Sequence, residues 1–298
     1  VIRRIARHGL VATLAALMIC GGVGRRAARP PAPDTKAPRQ FELVWADEFD
    51  RDGPPDSSKW TYEHGFVRNE ELQWYRPENA WVEHGQLIIE ARRERIANPA
   101  FDSTSRSWRA RRASAEYTSA SLTTRGLARW QYGRFEMRAR IDVRAGLWPA
   151  FWTVGEQGVW PASGEIDVME YYRGLLLANV AWADSAGRAK WDSARRPIAD
   201  LGGAGWTDHY HVWRMDWDER EIRLSVDTLL LNTTRLDSTL NGAGPPLNPL
   251  RQPHHLILNL AIGGQSGGDP SSTRFPARFE IDYVRVYRST TARGPSPR

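Results

Sequence analysis

An all-β fold of packed antiparallel sheets is what three observations predict. Apolar residues recur with period two, not 3.6, in five stretches; Gly and Pro (25 and 19 of 298 residues) punctuate them; no ten-residue helical stretch intervenes. Without crossover helices the parallel α/β folds drop out. A sandwich, barrel or jelly roll is left, and two packed antiparallel sheets suit a domain of about 250 residues best.

Each stretch earns its place by alternation. QLIIEAR (86–92) is the first. In YGRFEMRARID (132–142), Phe135, Met137 and Ala139 point to one side, and Arg134, Glu136 and Arg138 to the other. EIRLSVD (221–227) sets Ile222, Leu224 and Val226 on one face, and HLILNLAI (255–262) does the same with Leu256, Leu258, Leu260 and Ile262. FEIDYVRVY (279–287) ends the series.

The formal net charge of +6 would suit a polyanion partner, but its distribution excludes a bulk nucleic-acid surface. The first forty residues carry eight Lys and Arg against the single acid Asp34, whereas the remaining 258 hold 33 basic and 34 acidic groups. The arginine-rich run from Arg92 to Arg112 reads as a solvated loop.

At the amino end, Arg3, Arg4 and Arg7 precede the apolar stretch Leu10 to Cys20, then small residues. That order is a secretory signal, and about eleven apolar residues are too few for the roughly 20 of a membrane span. Cys20 is the only cysteine, so no intrachain disulfide forms. It stands where a bacterial lipoprotein would be lipidated, although Met18 and Ile19 precede it in place of small residues. Residues 25–40, rich in Pro, Arg and Ala, read as an extended tether. The expected organisation is a signal peptide over 1–24, the tether over 25–40, one folded domain over 41–288 and a disordered tail over 289–298. A monomer, secreted or periplasmic, is expected.

Fourteen tryptophans exceed what core packing ordinarily uses, and a flat indole suits the apolar face of a pyranose ring. Trp45, Trp60, Trp213 and Trp217 read as core. Trp148, Trp152 and Trp160 stand close to an acidic cluster and read equally well as ligand contacts.

That cluster is WPASGEIDVMEYY (160–172), in which Glu165, Asp167 and Glu170 interrupt an apolar run. On a helix they would scatter by roughly 200° and 140° around the axis. On a strand Glu165 and Asp167 share a face, and Glu170 rejoins it only if a β-bulge near Val168 or Met169 absorbs one residue. The Glu165 and Glu170 Cα atoms would then lie on the order of 13 Å apart, with carboxyl groups at about 5 to 6 Å. Such a pair suits double displacement at an anomeric carbon, one group attacking while the other protonates the leaving oxygen. Asp167, between them, would hydrogen-bond the attacking group, and mutual repulsion would raise the proton affinity of at least one member. A solvated strand face or a divalent-cation site would use the same acids differently.

The sequence resembles glycoside hydrolase family 16, in particular its laminarinase-like (endo-β-1,3-glucanase) branch with the E-x-D-x-x-E motif. The resemblance runs through LVWADEFD (43–50), DSSKWTYEHG (56–65), RNEELQWY (68–75), YTSASLTT (117–124), YGRFEMRARI (132–141), GLWPAFW (146–152), GEIDVMEYY (164–172), LILNLAIGG (256–264) and FPARFEIDYVRVY (275–287). It implies a β-jelly roll sandwich of two antiparallel sheets, with a concave cleft for a polysaccharide chain. It also implies Glu165 as nucleophile, Asp167 as assisting carboxylate and Glu170 as general acid/base, with Trp148 and Trp152 flooring the cleft and Asn69 and Trp160 contacting sugar. No catalytic cofactor is implied. A structural calcium often held by the family would use Asp282 with backbone carbonyls near the amino end and around Gly85; a strand-end aspartate satisfied by backbone amides is the other reading.

Two departures concern the leaving-group side. Where a histidine often follows the catalytic strand, LLLANVAWAD offers Asn179 and Trp182, and Gln265 and Ser266 replace the tryptophan often found after the Gly-Gly pair. Agar, carrageenan and mixed-linkage glucan therefore stand beside β-1,3-glucan as substrates. A glycan-binding protein without catalysis, or a transglycosylase, would use the same fold.

Overall fold

The computed structural model describes residues 40–243 and 247–290. The expected signal peptide with Cys20, the tether up to residue 39 and positions 291–298 lie outside the described residues. In chain order the strands are β1 (Gln40–Asp47), β2 (Thr61–Tyr62), β3 (Gln73–Tyr75), β4 (Ala80–Glu83), β5 (Gln86–Ala91), β6 (Ile96–Ala97), β7 (Ser114–Ala115), β8 (Tyr117–Ser119), β9 (Ser121–Thr123) and β10 (Gly133–Arg140). They continue with β11 (Leu147–Gly155), β12 (Glu165–Tyr172), β13 (Leu175–Ala183), β14 (Ala189–Pro197), β15 (His211–Trp217), β16 (Glu221–Val226), β17 (Leu229–Arg235), β18 (His254–Ile262) and β19 (Ala277–Thr290). All five stretches read from alternation are strands.

Two large antiparallel sheets form the expected jelly-roll sandwich. One runs β17-β16-β15-β10-β19-β5-β4, with β1 also paired to β19; the other runs β14-β13-β12-β11-β18-β9-β2. Alternation drives their inner faces together. Phe135, Met137, Trp213, Met215, Trp217 and Phe279 from the first meet Phe151, Ile166, Val180, Leu256, Leu258 and Leu260 from the second, all buried. Burying each aliphatic or Phe side chain is worth about 1.5–3 kcal/mol. Ile281 and Val284, three residues apart, are both buried because the pairing of β19 with β10 slips one residue opposite Arg138 and Ala139.

The domain reaches beyond its expected limits at both ends. Gln40 pairs with Thr290 and Phe41 with Ser289, so the last tether residue and the first two tail residues are ladder positions. Composition marked them as linker, but backbone pairing between the two ends ignores side-chain polarity. Trp60, Trp213 and Trp217 are core, as expected, whereas Trp45 is only partly buried and packs edge-on against Trp60 and Trp130 at 5.5 and 5.2 Å.

Asp282 already has a partner. Its Oδ2 accepts from Arg138 Nη1 at 2.6 Å, so a guanidinium already supplies the positive charge a cation would bring. Among the described residues no group of three or more His, Cys, Asp or Glu gathers as metal ligands.

Candidate active site

The second sheet carries the acidic motif on its outer face. β12 pairs with β13 as Asp167↔Asn179 and then Glu170↔Leu177, so three residues of β12 oppose two of β13. This is the expected bulge. Val168 and Met169 both turn into the core, and Glu170 returns to the face of Glu165 and Asp167. The turn entering β12 is tight. Gly155 N donates to Gly164 O at 3.3 Å, and a Cβ on Gly155 would stand 2.0 Å from Ser163 O.

All three carboxylates line one cleft of about 970 Å³, together with Trp148, Trp152, Trp160 and Asn69. Every expected site residue except Asp282 is thus brought together. Trp160 Nε1 donates to Glu165 Oε2 at 2.6 Å, and Trp148 Nε1 to Glu170 Oε1 at 2.7 Å. Trp160 is half exposed, whereas Trp148 and Trp152 show only 7% and 9% of their surface, so they form wall and floor rather than free platforms.

Burial dominates the electrostatics of the three acids. It pushes Glu170 up to about 7, despite hydrogen bonds from Trp148 and Asn179, and the Glu165 charge adds to the rise. Glu165 is also raised by burial, against hydrogen bonds from Asp167 and Trp160. Asp167 is driven well above the carboxylate range by burial and then by the charges of both neighbours. Their mutual hydrogen bond acts in opposite senses on the two, favouring the proton on Asp167 and the charge on Glu165.

Several site residues escaped the sequence reading. Asn179, noted only as a departure, donates from Nδ2 to Glu170 Oε2 at 3.0 Å and Asp167 Oδ2 at 3.3 Å. Asn259 accepts from Trp152 Nε1 at 2.7 Å and donates to the Tyr75 hydroxyl at 3.1 Å, which in turn donates to Glu71 at 3.2 Å. Gln73 and Asn69 also donate to the buried Glu71. Arg68 pairs with Glu63 and lies 4.9 Å over the Trp152 ring. A signal existed: Asn179 and Asn259 each interrupt an apolar strand, where an amide is costly unless it has partners.

The arginine-rich run is largely exposed, as expected of a solvated loop, but two of its arginines bond back to the protein. Arg109 Nε donates to Val67 O at 3.0 Å, and Arg112 Nη2 donates to Glu70 O at 2.7 Å and its Nη1 to Glu71 O. Asn69 and Glu70 both hold φ near +50°, a region that L-residues other than Asn and Gly rarely occupy. Arg112 thus braces the strained loop that brings Asn69 and Arg68 to the cleft.

Residues 76–285 match Glycosyl hydrolases family 16. The chain is 41% identical over 279 residues to the beta-glucanase of Rhodothermus marinus, covering 85% of this chain and 87% of that one. The laminarinase structure from Rhodothermus marinus superposes with a TM-score of 0.68 at 38% identity, covering 85% and 99%. A structure from work on endo-acting O-glycanases, with which prominent members of the human gut microbiota initiate mucin breakdown, superposes with a TM-score of 0.77 at 33% identity, covering 86% and 94%.

Proposed function

Since this chain belongs to glycosyl hydrolases family 16, a retaining family of endo-β-glycosidases that needs no catalytic cofactor, we propose that it cleaves internal linkages of a β-glucan, foremost β-1,3-glucan. Glu165, Asp167 and Glu170 carry the reaction in this proposal. The observation that supports it most is the bulge in β12, which puts Glu170, its carboxyl pushed up to about 7, on one cleft face with Glu165 and beside Trp148.

In the first step the Glu165 carboxylate attacks the anomeric carbon while the Glu170 proton passes to the glycosidic oxygen, so the leaving chain departs as an alcohol. A glycosyl ester on Glu165 results. In the second step Glu170, now ionised, takes a proton from water as that water attacks the same carbon, which frees Glu165 and restores the starting configuration. Asp167 supports the Glu165 charge from one side and Trp160 from the other. A sugar hydroxyl in place of water would give transglycosylation, and a binding module without catalysis has no use for a proton poised on Glu170.

A second substrate reading has an observation of its own. The O-glycanase structure superposes better than the laminarinase does, 0.77 against 0.68, and Asn179 stands beside the general acid. Digestion of laminarin, lichenan, agar, carrageenan and mucin O-glycans, with product identification, decides between them. Short β-1,3-oligosaccharides from laminarin are expected. Products from mucin glycans alone would overturn the glucan reading.

The pH dependence follows from the carboxyl directions. Since Glu170 must start protonated, kcat/KM falls as pH rises through about 7. Glu165 must be ionised, so the acid limb lies above the ordinary carboxylate value of 4.5. A narrow bell with two apparent values belonging to the coupled cluster is expected from initial rates between pH 4 and 9. Stability carries the same sign. A carboxyl raised on folding contributes fully below its unfolded value, and that contribution is lost as pH rises through about 7. Glu170→Gln should therefore raise Tm more at pH 8 than at pH 4, and an equal gain at both would contradict it.

Export to the periplasm or beyond belongs to the same proposal, as a polymeric substrate suits it; the support is the amino-terminal pattern. Among the described residues no helix is long and apolar enough to cross a membrane.

A further inference from the structure

The catalytic face does not end at β13. Register carries it one strand further: Glu165 lies opposite Ala181 and then Trp191, Asp167 opposite Asn179 and then Ser193, and Glu170 opposite Leu177 and then Arg195. Residues directly opposite in a ladder share a face. Trp191, Ser193 and Arg195 accordingly all line the cleft. Trp191 is 43% exposed and meets Trp160 at 6.5 Å, leaving an apolar rim at one corner.

The corner near Glu170 is different. Tyr172 lines the cleft and packs edge-on against Trp148 at 5.4 Å. The charges of Arg195 and Arg173 both act on its hydroxyl. Arg173 is exposed and does not line the cleft; a Cβ on Gly268 would stand 3.5 Å from its Nε, next to the turn that brings Gln265 and Ser266 into the cleft. Arg68, Arg76, Arg134, Arg144 and Arg285 all have carboxylate partners. Among the described residues neither Arg173 nor Arg195 has one.

We propose that Arg195, with the Tyr172 hydroxyl, forms a subsite for an anionic substituent, a sulfate ester or a uronate carboxylate, on the sugar bound at the β14 end of the cleft. An exposed guanidinium and a hydroxyl donor lining one cleft supply a planar fork and a second donor that match a tetrahedral or carboxylate anion. The proposal rests on the reading that this cleft binds a glycan, and it adds that the cleft accepts an anionic substituent on that glycan.

Two measurements test it, one of them independent of the backbone cleaved. Protein labelled with 15N-arginine, its Arg195 Nε–H resonance assigned with Arg195→Lys, is titrated with glucose, glucose 6-sulfate and glucuronate. Saturable shifts with an anionic sugar and none with glucose are expected, and the stronger of the two anions identifies the substituent. Failure of both anions to shift Arg195 overturns the proposal. The second measurement is the ratio of kcat/KM on sulfated laminarin to that on laminarin. It should fall roughly tenfold in Arg195→Ala, be restored in part by Arg195→Lys, and shrink with added salt, as a charge-assisted contact demands. A ratio indifferent to Arg195→Ala also overturns the subsite. If neither laminarin form is cleaved, the glucan reading fails, and the resonance shifts alone decide the anion site.

Discussion

Glu165→Ala lowers kcat/KM on the cleaved polysaccharide by four orders of magnitude or more, on the order expected when a covalent route is lost. Glu165 is held in place by hydrogen bonds with Trp160, at 2.6 Å, and with Asp167, so its carboxylate is aimed before substrate arrives. Removing it leaves Trp148, Trp152 and Asn69 along the cleft, and oligosaccharide affinity should largely persist. The variant should also fold. Burial raises the proton affinity of Glu165, so its charge is a cost to the native state at neutral pH, and Glu165→Gln relieves that cost. Near-normal turnover by either variant would remove Glu165 from the nucleophile's role.

Glu170→Ala fails differently. This residue is needed twice, as acid when the glycosyl ester forms and as base when water breaks it, and burial near pH 7 suits it to both duties. An activated aryl glycoside that fills the donor sites needs no protonation, and azide needs no base. Added azide should therefore restore turnover of Glu170→Ala on that substrate by about two orders of magnitude or more. The product is a β-configured glycosyl azide, because two displacements return the original configuration. Under the same conditions Glu165→Ala should give only the α-configured azide, by single displacement. Product configuration read by NMR checks both, and swapped outcomes would exchange the two roles.

The two assignments differ in how much the sequence could carry. The alternation of Phe135, Met137 and Ala139, or of Leu256, Leu258 and Leu260, depends only on side chains along one strand, and the structure buries each of these residues. The bulge was legible for a related reason. Three acids spaced E-x-D-x-x-E in an apolar run can share a face only if one residue is absorbed, and Val168 and Met169 supply an apolar pair to turn inward. Trp148, Trp152 and Trp160 were legible through composition and position, although their limited exposure was not.

What crossed between strands was not legible. Asp282 reads the same whether it binds a cation or Arg138, since its partner comes from 144 residues away. The arginine-rich run is mostly exposed, as read, but nothing in it told that Arg109 and Arg112 meet the carbonyls of Val67, Glu70 and Glu71. Arg195 lies 25 positions beyond Glu170 in sequence, yet shares its ladder row through Leu177. Period and burial preference are properties of neighbours along the chain, so the sequence alone determined the five alternating strands, their inward faces and the common face of the acidic trio. Register between strands depends on the whole ladder, and a salt bridge depends on which distant side chain arrives. Those the tertiary structure decided, because hydrogen bonds and charge pairs act through space over a few ångströms and carry no trace in local spacing.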